Sequence, residues 1–154
     1  MRVEVRKAEV ADMAAVFQLV RELADYEKAG HEVETSAEQY RRDYAAGDFE
    51  CLVAIDNTDT VVGTMIFFMA YSTWKGRMLF LEDFVVAQAQ RRSGIGSSMW
   101  ASLIELAEAR DCTSMKWQVL DWNEPAIAFY RGVGADLESE WDNGRLWLKK
   151  ATTS

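Results

Sequence analysis

Between residues 50 and 86 the chain reads ECLVAI, then DNTD, then TVVGTMIFFMAY, then STWKG, then RMLFLEDFVV. Three runs rich in β-branched, aromatic and aliphatic residues are joined by two polar connections, each too short to hold a helix. Strands joined this tightly must double back on one another, so the stretch predicts an antiparallel meander. The rest of the chain has to cover the faces of that sheet. Upstream, residues 2 to 6 predict a short strand, and Met13, Val16, Phe17, Val20, Leu23 and Ala24 recur at helical spacing. Thr35 and Glu38 form a capping-box pattern that predicts a second helix through about Ala46, stopped at Gly47. Downstream, the pattern predicts a long amphipathic helix from about Gly96 to Arg110, a strand over SMKWQVL and a helix starting near Pro125. A C-terminal hairpin is expected around WDNGR. The order is βααβββαβαββ, an α/β (α+β) arrangement with a central mixed, mostly antiparallel sheet and helices on both faces.

A chain of 154 residues, 49% of them hydrophobic, supports one core, so residues 1–154 are expected to form a single domain. The formal net charge of -8 argues against a nucleic-acid partner, which needs a basic face, and suits a small cationic ligand. The opening MRVEVRKAEVADM alternates charged with apolar residues and reads as no signal peptide, and no window approaches a membrane span. A cytoplasmic protein without a membrane partner is the expectation. Cys51 and Cys112 lie in apolar contexts without ligand spacing, which predicts buried, reduced thiols and no metal. His31 falls in a polar KAGHEVE loop and is expected at the surface. Trp100, Trp117, Trp141 and Trp147 read as core or interface residues, and KWQVLDW as a buried strand.

The last strand of the meander runs into VVAQAQRRSGIGSSMW, residues 85 to 100. A strand followed by a glycine-rich entry to a helix is an anion site on physical grounds, because the first N–H groups of the helix lack partners and its dipole favours negative charge. Gly94 and Gly96 let the backbone approach a bulky phosphate, and Arg91 and Arg92 add charge at the rim. The stretch is neither a Walker loop nor a dinucleotide fingerprint, since it lacks GK[ST] and has Met99 where a third glycine belongs. Read alone, it is equally well a helix start with incidental glycines and solvated arginines. Further on, DWNEPAIAFYRGVGA sets Asn123 at a helix start and Tyr130 two turns later on the same face.

LEDFVV, then RRSGIG, then WNEPAIAFYRGVGA, in that order, resemble the GCN5-related N-acetyltransferase (GNAT) family over nearly the whole chain. ELADYEKAG, LFLEDFVV and WNEPAIAFY look like its diamine (spermidine/spermine) and thialysine acetyltransferase branch, and YSTWKGR and VLDWN look more like the thialysine form. The resemblance implies the GNAT fold and an enzyme that uses acetyl-CoA. It implies that the strand carrying Phe84, Val85 and Val86 parts from its neighbour and pairs with the pantetheine arm. Backbone amides of Arg92, Ser93, Gly94, Ile95, Gly96 and Ser97 would hold the pyrophosphate with Arg91 at its rim, and Asn123, Ala126 and Tyr130 would complete the cofactor site.

Direct acetyl transfer requires a neutral amine beside a thioester, a path for the amine proton and a proton for the departing sulfur. By resemblance Tyr130 donates the last of these, and Glu82 accepts the amine proton. Adjacent strand residues face opposite ways, so Glu82 and Asp83 point apart unless a bulge re-aims one of them. Tyr26, Glu27, Trp74, Glu82 and Asp83 match positions that line the amine site of the branch. The same residues also read as a helix end, a hairpin tip and a polar strand end. Ser72 and Thr73 depart from the acidic and proline residues typical of the polyamine enzymes, which favours thialysine or lysine-like amines over long polyamines. A homodimer is expected. Two other functions remain open, a protein or peptide N-acetyltransferase and a non-catalytic acyl-CoA sensor.

Overall fold

The structure, a computed structural model, describes residues 2–148. The meander forms as its connections dictate. Strands β2 (Glu50–Ile55), β3 (Val61–Ser72) and β4 (Gly76–Val86) pair antiparallel in succession. β1 (Glu4–Lys7) adds antiparallel to β2, and β5 (Ser114–Lys116) adds parallel to β4, giving a five-stranded sheet in the order β1-β2-β3-β4-β5. The parallel step needs a crossover, which α3 (Ile95–Ala109) supplies. Helices α1 (Met13–Tyr26) and α2 (Ala37–Ala45) fill the connection from β1 to β2. These elements belong to a compact unit ending at Gln118; a second unit begins at Val119 and holds α4 (Glu124–Gly132).

Two cores sandwich the sheet of the first unit. On one face Cys51, Val53, Ile55 and Ile66 pack with Ala8, Met13 and Val16, and Tyr40, Tyr44 and Phe49 close the cluster from α2 and its exit. Phe17, Tyr40 and Phe49 meet edge to face, with centroids 5.1 and 5.9 Å apart. On the other face Met65, Phe67, Leu79 and Leu81 are buried, as are Ile95, Met99, Trp100 and Leu103 of α3. A Cβ on Gly63 would stand 2.6 Å from the Met99 sulfur, so the absence of a side chain there lets α3 lie close on the sheet. In the second unit α4 starts conventionally, with the Asn123 side chain accepting from Ala126 N at 3.4 Å and Pro125 in the first turn.

Several expectations need correction. α2 is capped by Ser36, whose hydroxyl accepts from Gln39 N at 3.1 Å, while the hydroxyl of Thr35 bonds Tyr40 instead. Two residues with the same capping chemistry stand side by side, and the one whose neighbour offers a phenol is diverted. The strand over SMKWQVL stops at Lys116, so KWQVLDW is no buried strand. Exposure still alternates from Lys116 to Leu120, so the backbone keeps its period of two without a ladder. The hairpin around WDNGR does not form among the described residues, and the final two strands of the expected order are missing from residues 133 to 148. Trp141 and Trp147 stand 73% and 79% exposed, outside any core, so that segment has no packed face to hold it as strands. Cys51 is buried, and burial pushes its thiol up to about 12, but Cys112 is only half-buried because it follows the last turn of α3. His31 is exposed.

Candidate active site

The chemistry concentrates where β4 loses its regularity. Phe67 pairs with Leu81 and Ile66 with Asp83, so Glu82 is the extra residue of a β-bulge. Before it, Leu79 and Leu81 point to the face covered by α3; after it, Phe84 points there and stacks on Trp100 with centroids 6.2 Å apart. Asp83 therefore lies on the opposite face beside its partner Ile66, toward α1 and α2. A regular strand would have turned it toward α3. The bulge is thus the device that the adjacency of Glu82 and Asp83 left open.

Asp83 joins an acidic cluster. Burial pushes its carboxyl up to about 7, helped by the negative charges of Glu82 and Glu27. Glu27 is the C-cap residue of α1, and burial raises its carboxyl too. Tyr40 completes the group from α2: its phenol is pushed up to about 12, first by burial and then by the charge of Asp83. Tyr40 escaped the sequence reading. Its signal was the pair Tyr40 and Tyr44, four residues apart on an otherwise charged helix, which marks the one face of α2 turned to the sheet.

The bulge also coincides with the end of the neighbouring ladder. β5 pairs with β4 only at Met78↔Ser114, Leu79↔Met115 and Phe80↔Lys116, whereas the β3 ladder runs on to Val86. Bulges strengthen the local twist of a strand, which carries β4 away from a partner that has just been paired. Within this unit, Phe84, Val85 and Val86 thus lie past the end of the β5 ladder.

From there the chain passes through Arg91, Arg92 and Ser93 to α3. Gly94 is the N-cap with φ +85, a left-handed conformation that glycine adopts without strain, and a Cβ there would meet nothing within 4 Å. Arg92 is also left-handed at φ +67, and Ser93 Oγ donates to Gln90 O. The N–H groups of Ile95, Gly96 and Ser97 form the start of α3, where the helix offers donors and positive potential. Arg91 turns elsewhere: its Nε donates to Val86 O at 3.2 Å, and its Cζ lies 5.7 Å from the centre of the Tyr26 ring.

The structure thus brings Glu27, Glu82 and Asp83 together and sets Tyr26, the last residue of α1, beside Arg91. It does not bring Trp74 to them. Trp74 is 84% exposed in the β3–β4 turn, and the seven strand residues from Gly76 to Glu82 span roughly 20 Å. In the second unit Tyr130 is buried on α4, edge-on to Phe129 at 5.6 Å, and Asn123 and Ala126 share the cap described above.

The model of the acetyltransferase (GNAT) family matches residues 16–135. The chain belongs to the GNAT family. It is accordingly an N-acetyltransferase, moving an acetyl group onto an amine. It is 37% identical over 143 residues to the thialysine N-epsilon-acetyltransferase of Bos taurus, covering 86% of this chain and 84% of the relative. To that of Mus musculus it is 37% identical over 147 residues, covering 88% and 86%. Among solved structures it is similar to an aminoglycoside acetyltransferase from an uncultured soil metagenomic sample. That match has a TM-score of 0.76 at 22% identity and covers 96% of this chain and all of the other, a likeness of fold.

Proposed function

We propose that this enzyme transfers the acetyl group of acetyl-CoA to a primary amine of a small cationic substrate, thialysine-like amino acids ahead of diamines and polyamines. The observation that carries the reading is the cluster of Glu27, Glu82 and Asp83 at the bulge of β4, which provides negative charge for an ammonium and groups to take its proton. The names borne by the relatives support the choice of amine. The family match runs across the boundary at Gln118, which supports treating the chain as one catalytic domain.

The residues present suit acetyl-CoA. The left-handed Gly94 leaves open space over the start of α3, where amides from Arg92 to Ser97 receive a pyrophosphate. The main chain of Phe84, Val85 and Val86, past the end of the β5 ladder, suits an extended arm added as a strand. Acetyl-CoA supplies the acetyl group as an activated thioester. Glu27 and Asp83 hold the incoming ammonium, and Tyr26 lines its approach. Glu82 takes the proton, directly or through water, so that the nitrogen attacks as the neutral amine. By its motif Tyr130 would supply a phenolic proton to the departing thiol, and Asn123 and Ala126 form the start of the helix that carries it.

A second reading gives the base role to Asp83, because a carboxyl that titrates near 7 is better matched to proton transfer at neutral pH than an ordinary one. Glu82→Gln and Asp83→Asn separate the two: the variant whose rate recovers only at higher pH has lost the base. Peptide substrates and an idle acyl-CoA sensor remain the competing functions. A turnover screen with acetyl-CoA against thialysine, lysine, putrescine, spermidine, spermine and a peptide panel, read as free thiol, decides. Thialysine or lysine leading is the expected result; turnover of peptides alone, or of nothing, rejects the proposal. We place the enzyme in the cytoplasm, where acetyl-CoA is available, and assign it a homodimeric state. Among the described residues no helix is long and apolar enough to cross a membrane.

A further inference from the structure

Arg91 sits at the junction of the loop entering α3 and the C-terminal end of α1. Its Nε–H bond to Val86 O fixes one edge of the guanidinium to the last residue of β4, and its charge lies against the ring of Tyr26. Tyr26 stands at a turn of the chain. It is the last residue of α1, it is 40% exposed, and the chain turns sharply after it, with Lys28 left-handed at φ +61. On the other side, Arg91 begins a loop whose path is set by two left-handed residues, Arg92 and Gly94. We propose that Arg91 is a positioning residue for Tyr26, and that through this contact occupancy of the anion loop sets the affinity for the amine. The inference rests on the proposed placement of acetyl-CoA and amine and deepens it.

The physical argument is one of shared ordering. A bulky anion at the start of α3 restricts the loop and with it Arg91, and a restricted Arg91 confines the Tyr26 ring. The amine then meets a ring already in place, so part of the entropy lost on ordering is lost once for both ligands. By linkage the amine must tighten the anion by the same factor. Lysine cannot replace arginine here, because it has no Nε donor in a planar fork and no flat face to lay on a ring.

Coenzyme A without an acetyl group allows the coupling to be measured without turnover. Calorimetric titration of thialysine into the wild-type protein should show an affinity about two- to five-fold higher with saturating coenzyme A than without it, the size expected of an exposed cation–ring contact. Arg91→Lys and Tyr26→Leu should each bring that factor to one, their combination should do no more, and Tyr26→Phe, which keeps the ring, should retain it. An equal factor in wild type and Arg91→Lys, or a factor of one in wild type, overturns the inference while leaving the proposed function standing. Failure of coenzyme A to bind the wild type overturns both.

Discussion

Asp83 carries its carboxyl into the face covered by α1 and α2, where burial and the charges of Glu82 and Glu27 push it up to about 7. In the unfolded chain an aspartate titrates near 3.9. The folded value is the higher of the two, so the protonated form is the one the fold favours, and stability is lost as pH rises from about 4 through 7. Asp83→Asn should therefore leave stability at pH 4 nearly unchanged and raise it at pH 8 by roughly 2–4 kcal/mol. Urea unfolding at the two values checks this, and a gain equal at both rejects it. Backbone strain gives a second expectation at this scale. Arg92 adopts φ +67 while exposed in the loop, so Arg92→Gly should remove strain and stabilise the ligand-free protein by about 1 kcal/mol, a rise of about 2–4 °C in thermal melting. Gly94→Ala should do the reverse, since φ +85 strains any Cβ even where space is open. The sequence named Glu82, Asp83, Glu27 and Tyr26 from their types and motif. It was silent on which carboxylate is buried, because that depends on strand facing. It was also silent on Tyr40, which belongs to the site only through the packing of α2.

A single extra residue in β4 decides how its elements meet. By shifting the ladder between Ile66 and Phe67, Glu82 lets Leu81 face α3 and Asp83 face α1, and the added twist accompanies the end of the β5 ladder at Phe80. Deleting Glu82 would give a regular strand in which Leu81 and Asp83 keep the faces they already have. The variant should thus melt cooperatively within several degrees of wild type. Its turnover should fall more than that of Glu82→Gln, which retains the bulge, with a loss on the order of 10²-fold or greater. Circular dichroism melts and a thiol-release assay measure both, and a deletion variant as active as Glu82→Gln would show that the bulge has no role beyond its side chain. The meander, α1 and α3 were legible because hydrophobic periodicity and short turns act locally. The length of β5 was not: SMKWQVL has strand character throughout, but a ladder requires a partner, and β4 has twisted by then. The choice of Ser36 over Thr35 as the cap of α2 was hidden for a similar reason, since Thr35 is claimed by Tyr40 from the next turn.

At the scale of the molecule, the family match spanning residues 16–135 and the sheet order agree on one architecture, while the C-terminal run is where the sequence reading departs furthest. WDNGRLWL has a turn signal at its centre and an apolar run after it, yet residues 141 to 148 form no strand, and Trp141, Leu146, Trp147 and Leu148 are all exposed. Arg145 lies over the Trp147 ring at 5.0 Å, a contact that leaves most of the indole in water. Strand pairing is cooperative, and a hairpin with no apolar surface to rest on is marginal, so the pattern alone does not fold it. Two tryptophans and two leucines left so exposed form an apolar liability in a monomer. A self-complementary interface between two copies would bury these side chains at the level of the assembly, which is the basis for the homodimer proposed above. Removing the apolar groups should then dissociate it. Analytical ultracentrifugation at micromolar concentration should show twice the 17.5 kDa chain mass for the wild type, and a monomer for Trp141→Ser combined with Trp147→Ser, with the melting temperature becoming independent of protein concentration. A wild type sedimenting at the chain mass, or a double variant that stays paired, places the interface elsewhere or removes it.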